Sequence, residues 1–165
     1  MKAIVPKGFG APLGMYSHGV VASAGELVVV AGQVGMTAIG EVAADDIVAQ
    51  TEQAFENVRS VIEAGGCSMR DVVRLQTFLV NARDIPDFMS ARKDVFPDYF
   101  PDGAYPPNTL LIVSRLVRPE LVVEIEAMAV RPARAARRRS PAKSAPRTVK
   151  SAKRHRAGQR RRSAR

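Results

Sequence analysis

Residues 1–130 predict an α+β domain, a mixed sheet of about six strands with two helices on one face. Three observations carry that prediction. The run LVVVAGQVG, residues 27–35, is apolar and β-branched, as a strand buried on both faces requires. Val48, Thr51, Phe55, Val58 and Ile62 recur three and four positions apart, the period of a single helix face. The stretch LVVEIEAMAV, residues 121–130, sets acids and aliphatics in alternation, the period of a strand.

The elements follow in order. Residues 1–14, rich in Gly and Pro, read as an irregular lead-in. Residues 15–23 and 27–34 read as two strands joined by a turn at Ala24-Gly25-Glu26. Gly32 and Gly35 signal a bulge or a close backbone approach. Asp45 and Asp46 open the first helix, whose polar side is Gln50, Glu52, Gln53, Glu56 and Arg59, and Gly65-Gly66 caps its end. Residues 72–80 are the next strand. A second helix begins near Pro86, a favoured first position, with Phe88, Ala91, Val95 and Phe96 as its apolar side; Pro97 should end or kink it. Residues 99–108 form a loop. Residues 109–116 and 121–130 read as a hairpin around Val117-Arg118-Pro119-Glu120, completing the order β-β-α-β-α-β-β.

Charge divides the chain in two. Residues 131–165 hold fifteen Lys or Arg and no acid, whereas residues 1–130 hold ten bases against sixteen acids. The listless overall figure of +9 therefore describes neither part, and only the tail invites a polyanionic partner. The tail has one large aliphatic residue, Val149, and no aromatic, too little apolar surface to offset the entropy of ordering it. It reads as a disordered basic extension of a domain spanning 1–130. Its Lys and Arg suit non-specific contact with nucleic acid through phosphate neutralisation; a solubilising extension without a partner has the same composition. The absence of interleaved aromatics argues against base stacking.

A single cysteine, Cys67, excludes an internal disulfide and a Cys-based zinc site. The N-terminus lacks the apolar run of a signal peptide, and no stretch approaches the roughly 20 apolar residues of a membrane span. A soluble, cytoplasmic protein with no membrane association is expected.

Glu124 and Glu126 stand two apart in an apolar strand and so share a face, with Val123, Ile125, Ala127 and Ala129 on the other. Carboxylates in that company need a partner, a wet cleft or a raised pKa. An ion pair with Arg115 or Arg118 and a general acid or base in a cleft both satisfy the pattern. The glycines at 32, 35 and 40 make no nucleotide-binding fingerprint, since no helix follows at the required distance. His18 reads as structural or solvent-facing, and Cys67 as an incidental loop thiol.

With these motifs in place, the chain resembles the Rid family, the RidA or YjgF-like enamine/imine deaminases. GMYSHG (14–19) is similar to the family's G-P-Y-x-x-G, AGQV (31–34) to S-G-Q-[IV], and GEV (40–42) to G-E-[IV]. QTEQAFENVRSVIEAG (50–65) resembles its long helix, and EIEAMAV (124–130) its closing strand. The resemblance implies a fold like trimeric chorismate mutase and a homotrimer with three clefts between subunits. It implies hydrolysis of a small-molecule substrate, a 2-imino acid or its enamine, to a 2-oxo acid and ammonia, without metal or organic cofactor. An arginine grips the carboxylate and a glutamate positions the attacking water. Matched position by position, Glu124 corresponds to that glutamate, Tyr16 to the cleft tyrosine and Gly32 to the backbone residue beside the ligand. Tyr105 and Thr109 fall at cleft-lining or adjoining positions.

The arginine is missing. Where the family has P-x-R-[ST], this chain reads Pro106-Pro107-Asn108-Thr109, with Leu110 where a cysteine often stands. Guanidinium grips a carboxylate with two charge-assisted bonds, each roughly 1.5–3 kcal/mol against about 1 for neutral ones. Asn108 offers a neutral amide, a difference of about two orders of magnitude in binding. The pattern resembles the arginine-less subgroups of the family. The alternative reading is a non-catalytic, small-ligand-binding trimer whose tails contact nucleic acid, with avidity from the three copies.

Overall fold

The computed structural model describes residues 1–133, so the basic tail lies outside the described residues beyond Ala133. The architecture is the mixed α+β fold expected. Its strands are β1 (Lys2–Ala3), β2 (Val20–Val21), β3 (Gly25–Val34), β4 (Val72–Leu79), β5 (Asn108–Ile112) and β6 (Val123–Pro132); its helices are α1 (Ile47–Ala64) and α2 (Ile85–Tyr99). Four strands form the main sheet in the order β3-β6-β4-β5, and β1 and β2 form a separate two-stranded ribbon.

The helix α1 forms where the apolar period requires it. Asp46 caps its start, its carboxylate accepting from the Ala49 amide at 2.8 Å. At its end the Cys67 amide donates to Ile62 (3.1 Å) and the Gly66 amide to Glu63 (2.9 Å), a Schellman closure that needs the left-handed backbone of Gly66, φ 76°. Thr51, Phe55, Val58 and Ile62 are buried, as their spacing predicts. Gln50 is a correction: assigned to the polar side, it is fully buried. Its amide donates to the carbonyls of Ala44 (2.9 Å) and Glu120 (2.8 Å), and its oxygen accepts from the Val122 amide (3.0 Å). It thus satisfies backbone groups of two loops that would otherwise be orphaned. Gly35 lies flush against it, since a Cβ there would stand 2.6 Å from the Gln50 Cα.

Phe55, Val58 and Ile62 of α1 and Phe88 and Phe96 of α2 join Val30, Leu75, Leu79, Ile125 and Ala127 in one core, so both helices cover one face of the sheet. On β6, Val123, Ile125, Ala127 and Ala129 face this core, and Glu124 and Glu126 face away.

Three further expectations are corrected. Residues 15–23 form no long strand; only Val20–Val21 pairs, with Lys2–Ala3 of the supposed lead-in. Gly19 interrupts the segment, and the ladder of β3 is taken by β6. Pro97 does not end α2, which continues to Tyr99. In the last turn a proline costs one backbone bond, and the Phe100 amide still closes onto Phe96 at 2.8 Å. Finally, β5 and β6 make no hairpin. The β5 strand runs parallel to β4 at the sheet edge, reached through α2 as a crossover, while β6 inserts antiparallel between β3 and β4. A ten-residue strand can pair along both edges, and β6 does so. It extends two residues beyond the compositional boundary at Val130, where the Arg131 guanidinium pairs with Glu26 (Nε to Oε2, 2.8 Å).

Candidate functional site

The β6 strand sets Glu124 on the sheet face not covered by helices, opposite Val34 of β3 and Phe78 of β4. Beside it, the pairing of β3 shifts register between Val30 and Gln33, a bulge that contains Gly32. A Cβ on Gly32 would lie 2.6 Å from the Glu124 Cδ and 2.9 Å from its Cγ, so the carboxylate rests directly over this glycine. The local sequence explains both features: glycine permits the approach, and the alternation of β6 aims the acid at it. Glu124 is half-buried, and burial, aided by the neighbouring charge of Glu126, pushes its carboxyl above the usual carboxylate range.

Neither Glu124 nor Glu126 has a cation within ion-pair distance among the described residues. Arg118 pairs instead with Glu120 and donates to the Gly40 carbonyl at 3.4 Å. Arg115 donates to the Leu116 carbonyl at 3.3 Å. Of the two readings of the acid pair, the ion pair with Arg115 or Arg118 is therefore not formed among the described residues.

The remaining predicted residues divide between two places. Thr109 aligns with Gln76 and, through it, with Glu126, on the Glu124 face. Asn108 aligns with Leu75 on the helix-covered face, and the Thr77 hydroxyl donates to its Oδ1 at 3.2 Å. Within one chain, then, the sheet separates Asn108 from Glu124. Tyr105 stacks on Phe96, centroids 5.8 Å apart. Tyr16 lies in the irregular segment before β2, and the Ser17 amide reaches the Pro106 carbonyl at 3.4 Å, which brings the Tyr16 and Tyr105 loops together. His18 is exposed and bonded through Nε2 to the Gly10 carbonyl at 2.9 Å, a link that organises the lead-in. Burial, with Asp71 adding to it, pushes the Cys67 thiol up, away from the reactive thiolate. A separate depression of about 270 Å³ on the open sheet face is lined by Val29, Ala31, Arg74, Gln76, Glu126 and Met128; it contains Glu126 and not Glu124.

Sequence reasoning missed Arg92, which is 2 % exposed and joins α2 to the Tyr16 segment through the Met15 carbonyl. A signal was present. Arg92 stands four residues after Phe88 and four before Phe96, the spacing that stacks a guanidinium between two rings along a helix. Among the described residues no cluster of three or more His, Cys, Asp or Glu could hold a metal ion, and no helix is long and apolar enough to cross a membrane.

A two-helix mixed sheet, with a glutamate from its central strand laid over a glycine bulge, defines a class of small α+β proteins, and comparison with known proteins gives the class its family. Residues 9–131 match the family model described as Endoribonuclease L-PSP. The chain is 30 % identical over 131 residues to the Escherichia coli protein named 2-iminobutanoate/2-iminopropanoate deaminase, covering 79 % of this chain and 98 % of that one. A RutC family protein of Pyrococcus horikoshii is 34 % identical over 119 residues, covering 72 % and 88 %. Among solved structures, the Rid-family protein YyfB of Yersinia pestis superposes with a TM-score of 0.68 at 33 % identity, covering 78 % of this chain and 97 % of that one. The YjgF gene product of E. coli gives 0.60 at 29 % identity, covering 80 % and 100 %. The chain belongs to the RidA/YjgF-like family.

Proposed function

We propose that this protein hydrolyses a small reactive imine, or its enamine tautomer, to a carbonyl compound and ammonia, with Glu124 as the water-activating group and no cofactor. The observation that carries the reading is the Glu124 carboxylate: without a cationic partner among the described residues, raised in pKa and seated over Gly32. A carboxylate with a raised pKa is a better base than an ordinary one and can return its proton at neutral pH. In the first step a water oxygen bonds to the imine carbon as Glu124 takes one of the water protons, the C=N electrons move to nitrogen, and Glu124 passes that proton to the nitrogen, leaving a neutral carbinolamine and an ionised Glu124. In the second, Glu124 takes the carbinolamine hydroxyl proton as C=O forms and delivers that same proton to the nitrogen as the C–N bond breaks, releasing ammonia and restoring the carboxylate.

The reading includes a cytoplasmic homotrimer with clefts between subunits. Two observations support the trimer. Leu27, Val29 and Leu111, on the uncovered sheet face, are 61, 60 and 43 % exposed in the single chain, an apolar surface that a neighbouring subunit would bury. A cleft between subunits would also allow the Asn108 loop of one copy to meet Glu124 of another, which the sheet prevents within a copy. Tyr16, Gly32, Tyr105, Asn108 and Thr109 would line it.

Asn108 directs the choice of substrate. With a neutral amide bonded to Thr77 where the arginine-bearing relatives have a cation, the reading favours imines that carry no carboxylate, as in an arginine-less subgroup of the family. The test supplies freshly generated 2-iminopropanoate and an uncharged imine to wild type and to Asn108→Arg, and follows carbonyl release. Wild type is expected to exceed buffer on the uncharged imine, and Asn108→Arg to gain about 10–100-fold on the imino acid. Wild type no faster than buffer on both would sink the hydrolase reading. Ligand binding without turnover would favour the second reading, a binding trimer whose residues 131–165 contact nucleic acid; the same Asn108 and the basic tail motivate it.

Gly32→Ala offers a local check. The atoms its methyl would meet belong to the end of a flexible side chain, so the carboxylate should swing away while the fold persists. Turnover is expected to fall about tenfold or more, because a displaced base is a poor one. Stability should change by only about 1 kcal/mol on chemical denaturation.

A further inference from the structure

Arg92 is charged, buried and without an acidic partner. It is 2 % exposed, and its guanidinium carbon lies 4.3 Å from the ring centroid of Phe96 and 5.7 Å from that of Phe88. Nη2 donates to the Met15 carbonyl at 2.7 Å, and Nη1 lies 3.5 Å from the Met89 sulfur. Nε is buried with no hydrogen-bond partner, and no carboxylate among the described residues is within ion-pair distance. Burial draws its pKa down to about 10, which leaves it charged at neutral pH.

Such a group is a poor choice for stability alone. An aliphatic or thioether side chain would fill the same space without the desolvation penalty of an unpaired cation. What the cation supplies, and an apolar residue cannot, is the bond to Met15, seventy-seven residues away in sequence and immediately before Tyr16. The rest of what holds the segment around Tyr16 is mostly local: the Leu13 amide donates to the Tyr16 hydroxyl at 3.4 Å, His18 Nε2 bonds to the Gly10 carbonyl at 2.9 Å, the Ile4 amide donates to the Gly19 carbonyl at 2.8 Å, and the Met15 side chain packs against the core. Two further backbone bonds are the local Tyr16 amide to the Gly14 carbonyl (2.9 Å) and the longer Ser17 amide to Pro106 (3.4 Å). The Ser17 hydroxyl is buried and unpartnered. Phe96, the ring nearest the guanidinium, is also the ring on which Tyr105 stacks. Arg92 thus touches the supports of both tyrosine-bearing loops.

We propose that Arg92 is a positioning residue of the candidate cleft, fixing Tyr16 through the Met15 carbonyl and Tyr105 through Phe96 without itself meeting the ligand. The cleft-lining role of the two tyrosines rests on the functional reading above; the mechanical linkage does not.

Hydrogen exchange followed by mass spectrometry on wild type, Arg92→Met and Arg92→Lys separates the two. In Arg92→Met, peptides covering residues 10–19 and 100–108 should exchange about tenfold faster or more, while those from α1, β4 and β6 keep their protection. Arg92→Lys, which retains a cationic donor, should restore part of the protection of residues 10–19. Faster exchange throughout, in both variants, would mean a general packing role and would overturn the proposal, as would unchanged exchange at residues 10–19. In the imine assay, Arg92→Met should lower kcat/KM about tenfold in wild type and far less in a Tyr16→Phe background, since the two act through one group. Additive losses would count against the linkage. A wild type without turnover would remove the hydrolase reading and leave the exchange result to decide the positioning role.

Discussion

Glu124→Gln is expected to abolish most imine hydrolysis, a loss of about 10²–10⁴-fold in kcat, the range for removing a general acid–base group. The amide is nearly the same size and can still rest over Gly32, so the loss would report chemistry and not shape. The pH dependence follows from the environment of the carboxyl. Burial, and then the charge of Glu126, raise its pKa above the usual carboxylate range. The acid limb of the wild-type profile should therefore lie above that range, with turnover falling as pH drops through the raised value and the base becomes protonated. Stability moves in the opposite direction. A carboxyl whose pKa is higher folded than unfolded favours the folded state fully below its unfolded pKa, and that contribution is lost as pH rises through the folded value. At neutral pH the Gln variant should thus be at least as stable as wild type, with the advantage shrinking on acidification. Urea melts at two pH values and a kcat profile check both halves. Turnover within about threefold of wild type would remove Glu124 from the chemistry.

Phe55→Ala should cost about 3–5 kcal/mol, the range for deleting a buried aromatic and leaving a cavity. Phe55 has no exposed surface. Its ring lies 5.3 Å from Phe96, 6.3 Å from Tyr99 and 6.4 Å from Phe88, so it joins the two helices at their centre. Against a total of about 5–15 kcal/mol for a domain, this is a large fraction. The effect should spread to the tyrosine loops, because Phe96 also supports Tyr105. A urea midpoint shift corresponding to less than about 1 kcal/mol would show that the helices are held elsewhere.

The successes and failures of the sequence reading separate by range. The α1 helix was legible because its period, its Asp46 cap and its glycine stop are all local. The alternation of β6 was legible for the same reason, and with it the shared face of Glu124 and Glu126. The hairpin was not, because the partner of a strand is a choice among distant segments; β6 took β3 and β4, and β5 took the far edge of β4. Gln50 looked like surface because its three partners are contributed by residues 44, 120 and 122, which no helical window includes. Arg92 was passed over because a charged helix residue is ordinarily exposed, and only packing shows that α2 buries it beneath the Met15 segment.

By itself the sequence determined the class of fold, the limits of the first helix, the acid-bearing face of the last strand and the ordered motifs that mark a RidA/YjgF-like chain. Each follows from backbone period, cap chemistry or a short run of residues. It also led to the expectation that Asn108 stands where the family resemblance implies an arginine. Only the tertiary structure decided what these residues meet: Glu124 over Gly32, Asn108 on the other side of the sheet against Thr77, and Arg92 holding the Tyr16 segment. Pairing and burial are set by the competition of all segments for a single core, and that competition cannot be read from any one of them.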